Sequence, residues 1–80
     1  MTLDQLSTGE TAVVTSLHGS GAEHRRLMDL GILPGTHIIK EFTSPLGDPI
    51  AFRIRGAVIA LRRDQASQIE IDIAEEITDE

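Results

Sequence analysis

Two stretches of this chain alternate apolar and polar residues with a period of two, and that repeat limits the fold more than any other feature. Ile50-Ala51-Phe52-Arg53-Ile54-Arg55 sets Ile50, Phe52 and Ile54 on one face and both arginines on the other. Ile69-Glu70-Ile71-Asp72-Ile73 sets three isoleucines against two acids. A period of two belongs to a strand with one buried face, whereas a helix repeats every 3.6 residues. Gly and Pro cut the rest of the chain into similarly short pieces. Glu10 to Leu17, β-branched and partly alternating, reads as a first strand after a Thr8-Gly9 turn. Thr36 to Thr43 reads as a second strand and Ile50 to Arg55 as a third. Gly56 marks a tight turn or bulge, Ala57 to Arg62 returns as a fourth strand, and Ile69 to Ile73 is the fifth. The expected fold class is all-β with one short helix. Five short strands predict a small closed barrel, because closure removes exposed strand edges.

The helix is legible from its ends. Ser20-Gly21-Ala22-Glu23 fits a capping box, in which Ser20 accepts from the Glu23 backbone and Glu23 reaches back. Gly31 falls where a left-handed residue ends a helix, with Ile32 placed to touch Leu27 in a Schellman arrangement. Leu27, Met28 and Leu30 are the expected buried stripe, and Glu23, Arg25 and Arg26 are expected to face water. Pro34-Gly35 suits a type II turn, with Gly35 supplying the positive φ. Asp64-Gln65-Ala66-Ser67 reads as one helical turn begun by the capping residue Asp64.

A chain of 80 residues makes one domain with a thin core, since a chain this short buries only about 60% of its unfolded surface. Leu, Ile, Val and Phe nevertheless fill 23 of the 80 positions, above the roughly one-fifth below which chains stay disordered. There is no cysteine, which excludes disulfides, a thiolate nucleophile and Cys-based metal sites, and which points to the cytoplasm. Met1-Thr2-Leu3-Asp4-Gln5-Leu6 has neither the basic stretch nor the apolar run of a signal peptide, and no apolar run approaches the length of a membrane span. The net charge of −6 is unevenly spread: residues 1–69 carry seven acids and seven bases, and residues 70–80 carry six acids and no base. The acidity therefore belongs to the end of the chain. A solvated terminus explains it, and steering of a basic partner is the alternative.

The inventory argues against catalysis. The phosphate-cradling pattern GxxxxGK[ST] is absent. His18-Gly19-Ser20-Gly21 resembles part of a dinucleotide loop, but His24 stands where the third glycine belongs. His18, His24 and His37 are the weak candidates for a divalent metal, and their spacing matches no compact ligand set; no cofactor is expected. Arg53, Arg55, Arg62 and Arg63 come from neighbouring strands, with Arg53 and Arg55 expected on one face. Nucleic-acid binding by such a barrel pairs cations with stacking aromatics, and this chain has no Trp, no Tyr and two Phe. Proline-rich peptides need the same aromatic groove. Contact with another protein is what remains. The candidate partner-binding residues are Arg25, Arg26, Leu33, Leu46, Arg53 and Arg55, with Leu27, Leu30 and Ile32 assigned to the core.

Arg26-Leu27-Met28-Asp29-Leu30-Gly31-Ile32-Leu33-Pro34-Gly35 resembles the signature of the FeoA family of small ferrous iron transport proteins. Pro45-Leu46-Gly47-Asp48-Pro49-Ile50 resembles its second block, and Arg55 to Arg62 followed by Ala66 resembles its third. The likeness spans about residues 3 to 73 and divides the chain into a barrel over residues 1–74 and an acidic tail over residues 75–80. It implies an SH3-like barrel. It also implies a cytoplasmic accessory of the FeoB transporter, acting on its GTP-binding region without entering the membrane. The alternatives are a stand-alone metal-binding or sensing module using the histidines, and a regulatory barrel like that of iron-dependent repressors.

Overall fold

The alternating runs form strands within a residue of where the pattern places them. β1 (Thr11–Leu17), β2 (His37–Thr43), β3 (Ile50–Ile54), β4 (Ala57–Leu61) and β5 (Ile69–Ile73) make one antiparallel sheet in the order β4-β3-β2-β1-β5. The computed structural model describes residues 1–74, so the predicted acidic tail over 75–80 lies outside the described residues. Two helices complete the order, α1 (Gly21–Asp29) between β1 and β2 and α2 (Arg63–Ala66) between β4 and β5. A 3-10 turn over Leu3–Gln5, which no periodic pattern announces, precedes β1 and buries Leu3.

The sheet curls because β1 and β2 each carry an irregularity. The register shifts between Val14 and Ser16 on β1 and between Lys40 and Phe42 on β2, and such bulges bend a strand and increase its twist. Ile38, Ile50, Phe52, Ile54, Leu61 and Ile71 are then directed into one enclosed cluster with Leu3, Leu6, Leu27 and Ile32. The expected ladder closure does not occur: among the described residues β4 and β5 are the two edges of the sheet, and α2 connects them. The barrel is SH3-like and open along that seam, where α1 lies.

The C-terminal end of α1 follows the sequence and its N-terminal end does not. Gly31 has φ +92°, its N–H donates to Met28 O at 2.9 Å, and Ile32 N–H donates to Leu27 O at 3.1 Å. This is the Schellman pair, and it brings Ile32 onto Leu27 in the core. At the other end Ser20 makes no side-chain capping bond, so the capping box is absent. Gly21 adopts φ +78°, turning the chain so that Ser20 no longer faces the first free N–H groups, and the Glu23 carboxylate lies near Arg62 instead. The buried stripe also differs. Leu27 is the one fully buried α1 side chain, while Met28 and Leu30 are 43% and 36% exposed. α1 meets the core through Leu27, and Met28 and Leu30 fall outside that contact.

Two further junctions differ by a residue or two. Arg55 leaves the strand: it and Gly56 have φ +53° and +84°, a two-residue hairpin turn of the primed kind. α2 begins at Arg63 and not at Asp64; the Arg62 N–H donates to Gln65 Oε1 at 2.9 Å, and Asp64 sits in the first turn with its carboxylate 3.3 Å from Arg62 Nε. The Leu33-Pro34-Gly35-Thr36 turn forms as expected, with Gly35 at φ +93° and Thr36 N–H donating to Leu33 O at 2.9 Å.

Candidate partner-binding site

Apart from Met1 and Ile73, the large exposed apolar side chains among the described residues lie on one loop, around the end of α1 and on the outer face of the sheet. Leu46 is 93% exposed at the third position of a turn closed by Gly47 N–H to Ser44 O at 2.7 Å. Its loop is held from beneath by Arg63, whose backbone N–H donates to Asp48 Oδ1 at 2.9 Å and whose Nε donates to Gly47 O at 2.8 Å. The Asp48–Pro49 peptide in this loop is cis. Leu46 is thus presented to water on a loop held by hydrogen bonds, so little ordering would be left for a contact there to bring about. Met28, Leu30 and Leu33 form a second exposed group around the end of α1. Leu33 is therefore exposed as the sequence suggests, and Leu30, expected in the core, joins it. Phe42 on β2 and Val58 on β4 are a third group on the outer face of the sheet, which the alternation alone did not single out.

The arginines do not form one patch. Arg53 pairs with Glu41, Nε to Oε2 at 2.7 Å. Arg55, carried off the strand by the hairpin turn, aims Nε at Gly31 O at 3.4 Å, so the two residues expected to share a face are engaged separately. Arg62 lies 3.6 Å from Glu23 and 3.3 Å from Asp64. Arg25 and Arg26 make no ion pair among the described residues and line a surface cleft with Ala22, Asp29, Pro49 and Ala60. Sequence reasoning found Arg25 and Arg26, grouped Arg62 with the strand arginines, and missed Pro49 and Ala60; only the docking of α1 beside β4 brings these together.

The three histidines stay apart in role. His18 Nε2 lies 2.9 Å from Glu70 Oε1, while the other oxygen of Glu70 meets the Met1 ammonium at 2.8 Å. Hydrogen bonding from that ammonium, then from His18, holds the Glu70 carboxyl below its ordinary value of 4.5. Glu70 in turn raises the Met1 ammonium above its ordinary 8.0. His24 and His18 border a small pocket with Glu23 and Gln68, and His37 stands at the exposed start of β2. Among the described residues no three His, Cys, Asp or Glu side chains converge as a metal would require.

These features define a class: a small SH3-like barrel with exposed apolar side chains and, among the described residues, unpaired arginines on its surface. The FeoA domain profile matches residues 1–73, and the chain belongs to that family. It is 34% identical over 73 residues to an Fe(2+) transport protein A/Fe(2+) transporter FeoB fusion protein of Porphyromonas gingivalis, covering 91% of this chain and 9% of the fusion. The chain thus spans less than a tenth of that relative. The solution structure of FeoA from Chlorobium tepidum superposes with a TM-score of 0.87 at 39% identity, over 94% of this chain and 71% of that one. The FeoA of Stenotrophomonas maltophilia, crystallised with zinc and described as a prokaryotic SH3 domain protein, gives 0.81 at 30% identity over 90% and 89%. No helix among the described residues is long and apolar enough to cross a membrane.

Proposed function

We propose that this chain is a non-enzymatic accessory module that docks on the cytoplasmic GTP-binding region of a FeoB-type ferrous iron transporter and supports transport or modulates the GTPase. The observation that carries the reading is the Porphyromonas gingivalis fusion, in which a segment 34% identical to this chain is covalently joined to the transporter. Fusion holds two partners at high effective concentration, and the surface met by the fused segment is the one proposed for this chain. The residues proposed to make the contact are Leu46, Leu33, Arg25 and Arg26, with Arg53 and Arg55 serving the barrel itself. The module consists of residues 1–74, works in the cytoplasm and holds no resident metal or cofactor.

The test is capture of the transporter's cytoplasmic region by the immobilised chain, repeated with Leu46→Glu and Arg25→Glu. Capture by the unaltered chain that weakens with either substitution is the expected result. No capture in any nucleotide state, together with normal ferrous iron uptake after deletion, contradicts the reading.

A further inference from the structure

α1 stands beside β4 with a gap between them. The two arginines that bracket β4 in the chain each reach one end of the helix: Arg62 Nη2 lies 3.6 Å from Glu23 Oε2, and Arg55 Nε is 3.4 Å from Gly31 O. The helix is thereby held along the outer edge of the strand, and the space left is a cleft of about 750 Å3. Ala22, Arg25 and Arg26 face it from the helix, and Ala60 and Pro49 from the barrel.

The barrel side of this cleft is an open strand edge. The two-residue hairpin makes Ile54 and Ala57 a hydrogen-bonded pair, so Phe52–Ile59 and Ile50–Leu61 exchange bonds as well. Val58 and Ala60 consequently direct their N–H and C=O groups away from β3, and among the described residues these four groups have no partner. The opposite edge is treated differently. On β5, Ile71 N–H donates to Met1 O at 2.8 Å, Thr2 bridges Glu70, and the strand carries the charges of Glu70 and Asp72. β4 is Ala-Val-Ile-Ala-Leu, without a charge, a proline or a covering strand. Natural edges are normally blunted by charge, proline or a packed cover, and because α1 stands off β4 across the cleft, the outward groups of Val58 and Ala60 remain a template for an added strand.

We propose that the cleft takes an extended acidic segment of the partner protein, which adds to β4 as a further strand while its carboxylates meet Arg25 and Arg26. This inference deepens the docking reading above and rests on it. Extended geometry follows from the spacing of the free Val58 and Ala60 groups, which a helix cannot match. Acidity follows from charge: the cleft is lined by three arginines and two acids, Glu23 is engaged by Arg62, and Arg25 and Arg26 make no ion pair among the described residues, which leaves the lining net positive. A second copy is the poorer occupant, because β4 is Ala-Val-Ile-Ala-Leu and brings no carboxylate to meet Arg25 and Arg26.

The test uses the full chain, labelled with nitrogen-15, and the peptide Val-Glu-Val-Glu-Val-Glu, with Val-Lys-Val-Lys-Val-Lys as control. Saturable shifts at the Val58 and Ala60 amides, with at least about tenfold slower hydrogen exchange there, are expected for the acidic peptide only. Arg25→Glu with Arg26→Glu weakens binding by about tenfold. Ala60→Pro removes an outward N–H without touching the β3 ladder, and is expected to abolish both the shifts and capture of the transporter region. Shifts that avoid Val58 and Ala60, equal binding of the lysine peptide, or slow exchange at these amides before any peptide is added overturn the proposal. Undiminished transporter capture by Ala60→Pro overturns the cleft as the docking site and leaves the docking reading intact. Failure of the unaltered chain to capture the transporter overturns that reading and the partner named here with it.

Discussion

Gly31 and Gly35 have nearly the same backbone conformation, φ +92° and +93°, in different surroundings, and the comparison isolates one contact. An alanine at either position meets the same left-handed strain, about 1–2 kcal/mol. At Gly35 the new Cβ enters open space. At Gly31 it comes within 3.2 Å of Arg55 Nε and 3.3 Å of Arg55 Cδ, the side chain that reaches back to the end of α1. Moving that side chain off a favoured rotamer costs roughly a further 0.5–1.5 kcal/mol. Gly35→Ala is therefore expected to lower Tm by roughly 4–16 °C, and Gly31→Ala by several degrees more, at about 4–8 °C per kcal/mol for a domain of this size. Thermal melts of both variants in the natural background and with Arg55→Ala complete a double-mutant cycle. The excess at Gly31 vanishes once Arg55 is truncated. Equal losses at the two glycines, or an excess that survives Arg55→Ala, refute the contact and with it the tie between α1 and the β3–β4 hairpin.

Leu27→Ala removes the only fully buried side chain of α1 and is expected to cost about 2–5 kcal/mol in urea unfolding, whereas Met28→Ala stays within about 0.5 kcal/mol. Glu70, held below 4.5 by the Met1 ammonium and His18, contributes stability that is present above that value and fades as pH falls through the folded value. The Met1 ammonium, raised above 8.0 by Glu70, contributes below that value and fades as pH rises through its folded value. The Tm difference between the natural chain and Glu70→Gln is accordingly widest between 4.5 and 8.0 and narrows on both sides, as melts across pH measure. Equilibrium dialysis against ferrous iron under reducing conditions is expected to give no tight one-to-one binding; stoichiometric uptake lost with His18→Ala or His24→Ala contradicts the proposed lack of a resident metal.

The parts of this structure that were legible in the sequence are those governed by neighbours in the chain. Alternation placed Ile50, Phe52 and Ile54 inward, and the glycines at 31 and 35 marked turns whose positive φ few other residues adopt comfortably. Leu46 stood out because Pro and Gly around it left it nothing local to pack on. The parts that were not legible depend on what docks where. Whether Met28 and Leu30 are buried is decided by how far α1 sits from the barrel, and helical spacing alone cannot set that distance. The Ser20–Glu23 box was a sound local motif overruled by Gly21, whose freedom to adopt φ +78° no capping rule accounts for. Arg53 and Arg55 looked like a shared face until the hairpin turn claimed Arg55. The cleft between α1 and β4 assembles residues from positions 22 to 65 and had no signature in any single stretch.

The central claim is that this barrel acts by binding a ferrous iron transporter, and calorimetric titration of the purified chain into the transporter's isolated GTP-binding region measures it directly. The account predicts one-to-one association in at least one of the GTP, GDP and nucleotide-free states, weakened by Leu46→Glu. Absence of heat and of co-migration in all three states contradicts it.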